Sequence, residues 1–115
     1  MGVVIYHNPK CTKSRQTLAL LEARGIEPRI VDYLSTPPTK IELERILKLL
    51  KIEPRALMRR KEPAYKRAGL DNPALTRAAL IKALHDHPKF IERPIVLANG
   101  KAAIGRPPEN VLKIL

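Results

Sequence analysis

Near its start the chain reads Val3-Val4-Ile5-Tyr6-His7-Asn8-Pro9-Lys10-Cys11-Thr12-Lys13-Ser14-Arg15. The apolar, β-branched residues at 3–6 predict a buried strand, and Pro9 indicates a turn after it. Helical spacing of apolar residues begins at Ser14 and stops at Gly25, a natural helix terminator. A second strand is predicted at residues 29–33, so the first third of the chain forms a β-α-β unit with parallel strands.

A helical block follows. Thr39 with Glu42 has the pattern of a capping box, Pro54 can open a short helix, and Thr76 can cap another. We therefore expect residues 39–87 to be almost wholly helical.

Strand signals return near the end of the chain. Asn99-Gly100 separates two short apolar runs, which predicts a hairpin with a type I′ turn, and Pro107-Pro108-Glu109 can open a last helix. The order β-α-β, helical block, β-β-α predicts the α/β class, with a thioredoxin-like mixed sheet. We expect one domain over residues 1–115 with a helical insertion at approximately 39–87.

The composition indicates the cellular compartment of the protein and the chemical class of its partners. The chain has 115 residues, one cysteine and a formal net charge of +11. No apolar run approaches the ~20 residues of a membrane span, and a lone cysteine is typical of reducing compartments, so we expect a cytoplasmic protein without a membrane partner. The positive charge favours anionic partners, but aromatic residues are only 3% and no zinc-finger pattern is present, which argues against nucleic acid.

Cys11 is the candidate nucleophile. A cysteine at a helix start gains thiolate character from backbone N–H groups and the helix dipole, and Lys10, Lys13 and Arg15 add positive charge. The alternative is a buried, inert cysteine. Because position 14 is serine, the chain has no partner thiol for Cys11, and redox work would require a second sulfur from another molecule.

Several polar neighbours could support this thiol. Thr12 or Ser14 can cap the helix, and their N–H groups could hold an anion. His7 could tune the protonation of the thiol or order the loop, and Asn8 can hydrogen-bond within the turn. The His85-Asp86-His87 run lacks further ligands, so we expect no metal site.

The stretch His7–Arg15 resembles the active-site loop of glutaredoxin-dependent arsenate reductases of the ArsC type. Four further stretches resemble the same family in the same order. They are Tyr33-Leu34-Ser35-Thr36-Pro37-Pro38-Thr39, Arg55-Ala56-Leu57-Met58-Arg59, Glu92-Arg93-Pro94-Ile95-Val96 and Gly105-Arg106-Pro107-Pro108-Glu109. The chain ends one short helix after the last of them, like the shorter, arsenate-reductase-like subgroup.

The resemblance implies a thioredoxin-like fold with a helical insertion and a specific chemistry. Cys11 would attack arsenate held by Arg59, Arg93 and Arg106, with Pro94 in the cis form beside the thiol. Glutathione would serve as the external reductant and glutaredoxin as a protein partner, with no tightly bound cofactor. Arg60 adjoins Arg59, but the spacing of the motif favours Arg59.

Two alternatives stay open. Spx-type transcription regulators are similar in fold and bind RNA polymerase, although they typically carry a Cys-x-x-Cys switch that this chain lacks. An oxidoreductase acting on another oxyanion would use the same site. A basic nucleic-acid-binding module has only the net charge in its favour.

Overall fold

The computed structural model describes residues 2–115. Its strands and α-helices follow the predicted order, and three short 3₁₀ helices connect or end them. The strands and α-helices are β1 (Val4–His7), α1 (Thr12–Ala23), β2 (Arg29–Asp32), α2 (Lys40–Leu50), α3 (Pro63–Arg67), α4 (Arg77–Asp86), β3 (Ile95–Ala98) and β4 (Lys101–Ile104). The 3₁₀ helices are Pro54–Leu57, Pro88–Phe90 and Pro108–Ile114.

The chain divides into two compact units. The first contains residues 1–36 and 93–115 and carries the sheet, whereas the second contains residues 37–92 and carries helices. The extent of the helical insertion, approximately 39–87, and its inclusion in a single domain stay predictions.

The first unit holds a four-stranded mixed sheet in the order β2-β1-β3-β4. Strand β1 is parallel to β2 and antiparallel to β3, and β3 is antiparallel to β4. The predicted parallel β-α-β unit and the predicted hairpin are therefore confirmed. Asn99 and Gly100 both have positive φ, at 53° and 71°, as a type I′ turn requires.

Apolar side chains from every layer of the first unit form its core. Ile5 of β1 and Val96 of β3 are fully buried with Leu21 of α1 and Val111 of the last 3₁₀ helix. Burial of such side chains stabilises the fold by about 1.5–3 kcal/mol each. This core joins the strand before Cys11, the helix after it and the carboxyl-terminal segment, so it fixes the position of the loop between β1 and α1.

The second unit is built on α2 and α4, which pack against each other. Both predicted caps are present, because the Thr39 hydroxyl accepts a hydrogen bond from the Glu42 N–H at 3.1 Å and the Thr76 hydroxyl accepts one from the Ala79 N–H at 3.1 Å. The Glu42 carboxylate returns to the Thr39 N–H, which completes the predicted capping box.

Two sequence expectations need correction. Residues 68–76 are turns and irregular backbone instead of helix, because Gly69 has a positive φ of 71° and Pro73 lacks an N–H for helical bonding. The last helix is a 3₁₀ helix, Pro108–Ile114, rather than an α-helix.

No helix within residues 2–115 is both long enough and apolar enough to span a membrane.

Gly105 follows β4 where the backbone leaves no room for a side chain. A Cβ placed there would lie 2.8 Å from Cγ of Pro94 and would also collide with Oγ1 of Thr17. We therefore expect Gly105→Ala to lower the free energy of unfolding by about 1–3 kcal/mol, as overpacking does. Urea denaturation measures the loss, and Gly2→Ala, where nothing lies within 4 Å of the added Cβ, is the control. Equal stability of the two variants would contradict this packing argument.

Candidate active site

Cys11 is the residue that caps the amino end of α1. Its backbone is extended, with φ −94° and ψ 124°, and its carbonyl accepts the first helical hydrogen bond from the Arg15 N–H at 3.0 Å. The Cys11 N–H donates to the Asn8 carbonyl at 3.0 Å, which closes the turn after β1. Cys11 is half-buried at the start of the helix.

The surroundings of the sulfur favour its charged form. Burial by itself would raise the pKa of Cys11, but the backbone N–H of Ser14, the Arg93 guanidinium and the backbone N–H of Lys13 outweigh it. The pKa of the thiol therefore lies below its ordinary value. These N–H groups are among those that a helix start leaves without an intrahelical partner, so the sulfur occupies a ready-made anion site.

Two arginines from the carboxyl-terminal part of the chain reach the same sulfur. Arg93 acts on it through its charge and a hydrogen bond, and the Nη2 of Arg106 lies 3.8 Å from the Cys11 Sγ. The Arg106 Nε donates to the Arg93 carbonyl at 2.8 Å, and the Arg106 carbonyl accepts from the Asn110 side chain at 2.9 Å. The structure thus brings Cys11, Arg93 and Arg106 together, with Arg106 held at both its side chain and its backbone.

Pro94 follows Arg93 and begins the approach to β3. The Arg93–Pro94 peptide bond is cis, as the resemblance implies, and Pro94 is buried. The Arg106–Pro107 bond is also cis, which the sequence analysis did not predict.

Ser14 does not cap the helix through its side chain. It is fully buried, and its hydroxyl accepts a hydrogen bond from the Asn8 N–H at 3.0 Å and shares another with His7 Nδ1 at 2.5 Å. No side chain caps α1, so the capping expectation for Thr12 and Ser14 is wrong. The reason is that Cys11 itself takes the capping position, which places Ser14 one turn inside the helix, facing β1.

His7 and Asn8 are buried residues that order the loop between β1 and α1. His7 ends β1 opposite Asp32 of β2, and both His7 and Asn8 are buried. Burial lowers the pKa of His7 below its ordinary value, while Asp32 acts in the opposite direction and Arg15 in the same one. The Asn8 side chain accepts from the Lys10 N–H at 3.0 Å, which fixes the bend before the cysteine.

Thr12 is the first residue of α1 and is exposed. Its hydroxyl accepts a hydrogen bond from Arg15, whose guanidinium also donates to the Pro9 carbonyl at 2.9 Å. Thr12 therefore helps to tie the loop to the first turn of the helix.

Arg59 lies in the second unit, where carboxylates surround it. Its guanidinium is 3.2 Å from Glu62 and 3.7 Å from Glu92, and its backbone N–H donates to the Phe90 carbonyl at 2.7 Å. Arg60 is exposed, in contrast to its neighbour. A role for Arg59 in binding an oxyanion stays a prediction.

Tyr33 is a site residue that the sequence analysis missed. It follows β2, is fully buried, and its hydroxyl is close enough to Arg93 and to the Asn8 side chain to interact with both. Burial raises the pKa of Tyr33 above its ordinary value, against the effect of these two neighbours. The signal was its position, because the ends of β1 and β2 meet at one edge of the sheet and Tyr33 follows β2 as Asn8 follows β1.

Metal-binding residues do not cluster anywhere in residues 2–115: no group of three or more His, Cys, Asp and Glu side chains could hold an ion. His85 instead has its Nδ1 2.8 Å from the Pro38 carbonyl.

Comparison with known proteins shows the family of the chain. The model of the ArsC family matches residues 6–114. The chain belongs to the ArsC family. An arsenate reductase of Neisseria meningitidis serogroup A is 54% identical over 114 residues, which cover 98% of this chain and 97% of that protein. The Escherichia coli K12 protein named "Uncharacterized protein YfgD" is also 54% identical, over 98% of this chain and 96% of its own length.

A solved structure extends the agreement to three dimensions. The arsenate reductase from Vibrio cholerae superposes with a TM-score of 0.97 at 56% identity, covering 100% of this chain and 98% of that one. The fold of this ArsC family member is thioredoxin-like, as predicted.

The buried position of Ser14 generates a prediction about stability. Ser14→Ala removes the acceptor of the Asn8 N–H and the partner of His7 Nδ1, which leaves buried polar groups unsatisfied. We expect the free energy of unfolding to fall by about 1–3 kcal/mol in urea denaturation. Ser35→Ala is the control, because Ser35 is exposed and its change should stay within about 0.5 kcal/mol. A Ser14→Ala variant as stable as the control would show that these hydrogen bonds contribute little.

The electrostatics of Cys11 generate a second prediction. Arg93→Ala removes a cation and a hydrogen bond that favour the thiolate, so the pKa of Cys11 should rise. Thiolate absorbance in the ultraviolet, followed against pH, measures the midpoint, and Arg29→Ala on the exposed face of β2 is the control. A midpoint that moves equally in both variants would mean that net charge, not proximity, sets the pKa.

Proposed function

We propose that this protein is an arsenate reductase that uses the Cys11 thiolate as its nucleophile and takes reducing equivalents from glutathione and glutaredoxin. The observation that carries the proposal is the thiol of Cys11 at the start of α1, with a lowered pKa, between Arg93 and Arg106. The arsenate reductases that share more than half of its residues support the choice of substrate.

Arsenate is a tetrahedral anion, and a thiolate repels it unless fixed cations lie beside both. Arginine suits this task because its planar guanidinium stays charged and donates paired hydrogen bonds to oxygen atoms. Arg93 and Arg106 supply such groups within reach of the sulfur. By the family resemblance, Arg59 would be the third.

In the first step the Cys11 sulfur attacks the arsenic atom. A sulfur–arsenic bond forms, one arsenic–oxygen bond breaks, and the departing oxygen leaves as water after it gains protons. The arginines and the N–H groups of the loop stabilise the charge on the remaining oxygens.

The later steps need thiols from outside, because the chain has a single cysteine. Glutathione attacks the adduct and a glutaredoxin thiol completes the transfer, so those two thiols become a mixed disulfide. Arsenic gains two electrons, arsenite leaves, and Cys11 returns to the thiolate. In total, one arsenate and two thiols give one arsenite, one disulfide and one water. The reaction requires a reduced thiol pool, which is a property of the cytoplasm.

A coupled assay tests the proposal. Arsenate-dependent oxidation of NADPH is followed with glutathione, glutaredoxin and glutathione reductase, using wild type beside Cys11→Ser. We expect Cys11→Ser to lose all arsenate-dependent activity, because a serine hydroxyl stays protonated and cannot replace the thiolate. Turnover by Cys11→Ser would reject the mechanism, and a wild type that turns over only with another oxyanion would reject arsenate as the substrate.

The same assay tests the three arginines, and Arg60 provides a matched control. Removal of one group that stabilises developing charge typically lowers kcat by about 10²–10³-fold, and we expect losses of that order in Arg93→Ala and Arg106→Ala. Arg59→Ala should fall in the same range, while its exposed neighbour Arg60→Ala should keep wild-type activity. If Arg59→Ala and Arg60→Ala behave alike, the assignment of Arg59 is wrong although the roles of the other two can stand.

A further inference from the structure

Tyr33 and Arg93 interact with each other and with Cys11, yet each has a buried polar atom that forms no hydrogen bond of ordinary length and angle. Within residues 2–115, the buried side-chain atoms that form none are Tyr33 Oη, Arg93 Nε and Arg59 Nη1. Arg59 Nη1 lies 3.7 Å from a carboxylate oxygen of Glu92. Arg93, by contrast, forms no ion pair with a carboxylate within residues 2–115. Tyr33 and Arg93 share one place in the fold, because they interact electrostatically with each other and with Cys11.

A buried hydroxyl without a partner is costly. Most buried polar groups in folded proteins are hydrogen-bonded, and leaving one unsatisfied opposes folding. Phenylalanine would fill the same volume at Tyr33 without that cost. A tyrosine that is fully buried with its hydroxyl unsatisfied therefore points to a partner that binds from outside the chain.

The neighbours of this hydroxyl identify the kind of partner. Arg93 has donors only and cannot accept the Tyr33 proton, and the Asn8 side chain, whose oxygen accepts from the Lys10 N–H, forms no hydrogen bond of ordinary geometry with the hydroxyl. Burial and the negative charge of Cys11 both raise the pKa of Tyr33, so its hydroxyl keeps its proton at neutral pH. A protonated hydroxyl beside a guanidinium and a thiolate suits a ligand that accepts hydrogen bonds and carries negative charge.

We propose that the Tyr33 hydroxyl donates a hydrogen bond to an oxygen of the tetrahedral oxyanion bound next to Cys11. This inference rests on the oxyanion site of the proposed function and adds to it a neutral donor from the end of β2. Arg93 Nε would find its partner in the same ligand. Tyr33 is thus a binding residue, and Tyr33→Phe should lower the affinity for the oxyanion without disturbing the protein around it.

The competing explanation is that Tyr33 only positions Arg93. The two explanations predict different behaviour in the ligand-free protein. A positioning residue would support Arg93, so its loss would raise the pKa of Cys11 and destabilise the fold. A donor to the ligand alone would leave both unchanged, and removal of its unsatisfied hydroxyl would leave the fold equally or more stable.

Three measurements on Tyr33→Phe separate these cases. Isothermal titration with sulfate, an unreactive tetrahedral anion, gives the affinity of the site, urea denaturation gives stability, and thiolate absorbance gives the pKa of Cys11. We expect the sulfate dissociation constant to rise about tenfold, the value of one hydrogen bond to a charged group, while stability does not fall and the pKa stays constant. Tyr65→Phe is the control, a buried tyrosine in the second unit that should leave sulfate affinity unchanged.

Other outcomes overturn the proposal. Unchanged sulfate affinity in Tyr33→Phe would show that the hydroxyl does not touch the anion. Weaker binding accompanied by a higher Cys11 pKa and lower stability would assign Tyr33 a positioning role instead. If the variant does not fold, fluorine NMR of the wild type labelled with 3-fluorotyrosine gives the answer, because the Tyr33 resonance must shift on sulfate addition and its failure to shift would also overturn the proposal.

The test is independent of arsenate reduction. Tyr33-dependent sulfate binding in a protein that does not reduce arsenate would retain the donor and reject the proposed activity. Tyr33-independent binding in a protein that does reduce arsenate would do the reverse.

Discussion

The site depends on one physical constraint: the start of a helix stabilises a thiolate, because its first backbone N–H groups are free to interact with the negative sulfur. The first backbone N–H groups of α1 have no helical partners, and those of Lys13 and Ser14 interact with the Cys11 sulfur. Burial opposes the charge, and two of those N–H groups together with Arg93 overcome that opposition. Ser14 fixes the start of this helix against β1, and Arg106 brings a second cation to it.

Buried hydrogen bonds between α1 and the end of β1 hold the start of the helix in place. Ser14 reaches back from the helix to His7 and Asn8, so the strand, the turn and the first helical turn are joined without using the groups that face the sulfur. Gly105 lets the segment after β4 pass close to Pro94 and Thr17. That close passage delivers Arg106 to the thiol, where its guanidinium also binds the Arg93 carbonyl.

The sequence predicted these features unevenly, for physical reasons. Local patterns located the strands, the Thr39 and Thr76 caps and the Asn99-Gly100 turn, because each is set by residues close in the chain. The cap of α1 was assigned wrongly, since a thiol that takes the capping position through backbone geometry leaves no pattern of hydroxyl residues to read. Tyr33 was missed because its importance comes from burial beside Arg93, sixty positions away, and a single sequence does not encode that proximity. Arg93 and Arg106 came from family resemblance, since arginines on their own are usually surface residues.

The order of the chain has a consequence for biosynthesis. The unit that holds the thiol is made of residues 1–36 and 93–115, so the ribosome synthesises Cys11 long before Arg93 and Arg106. Until residues 93–106 emerge, strand β1 lacks β3 beside it and the sulfur lacks the guanidinium groups of Arg93 and Arg106. Until Arg93 and Arg106 have been synthesised, only the backbone N–H groups at the start of α1 are present to favour the thiolate of Cys11.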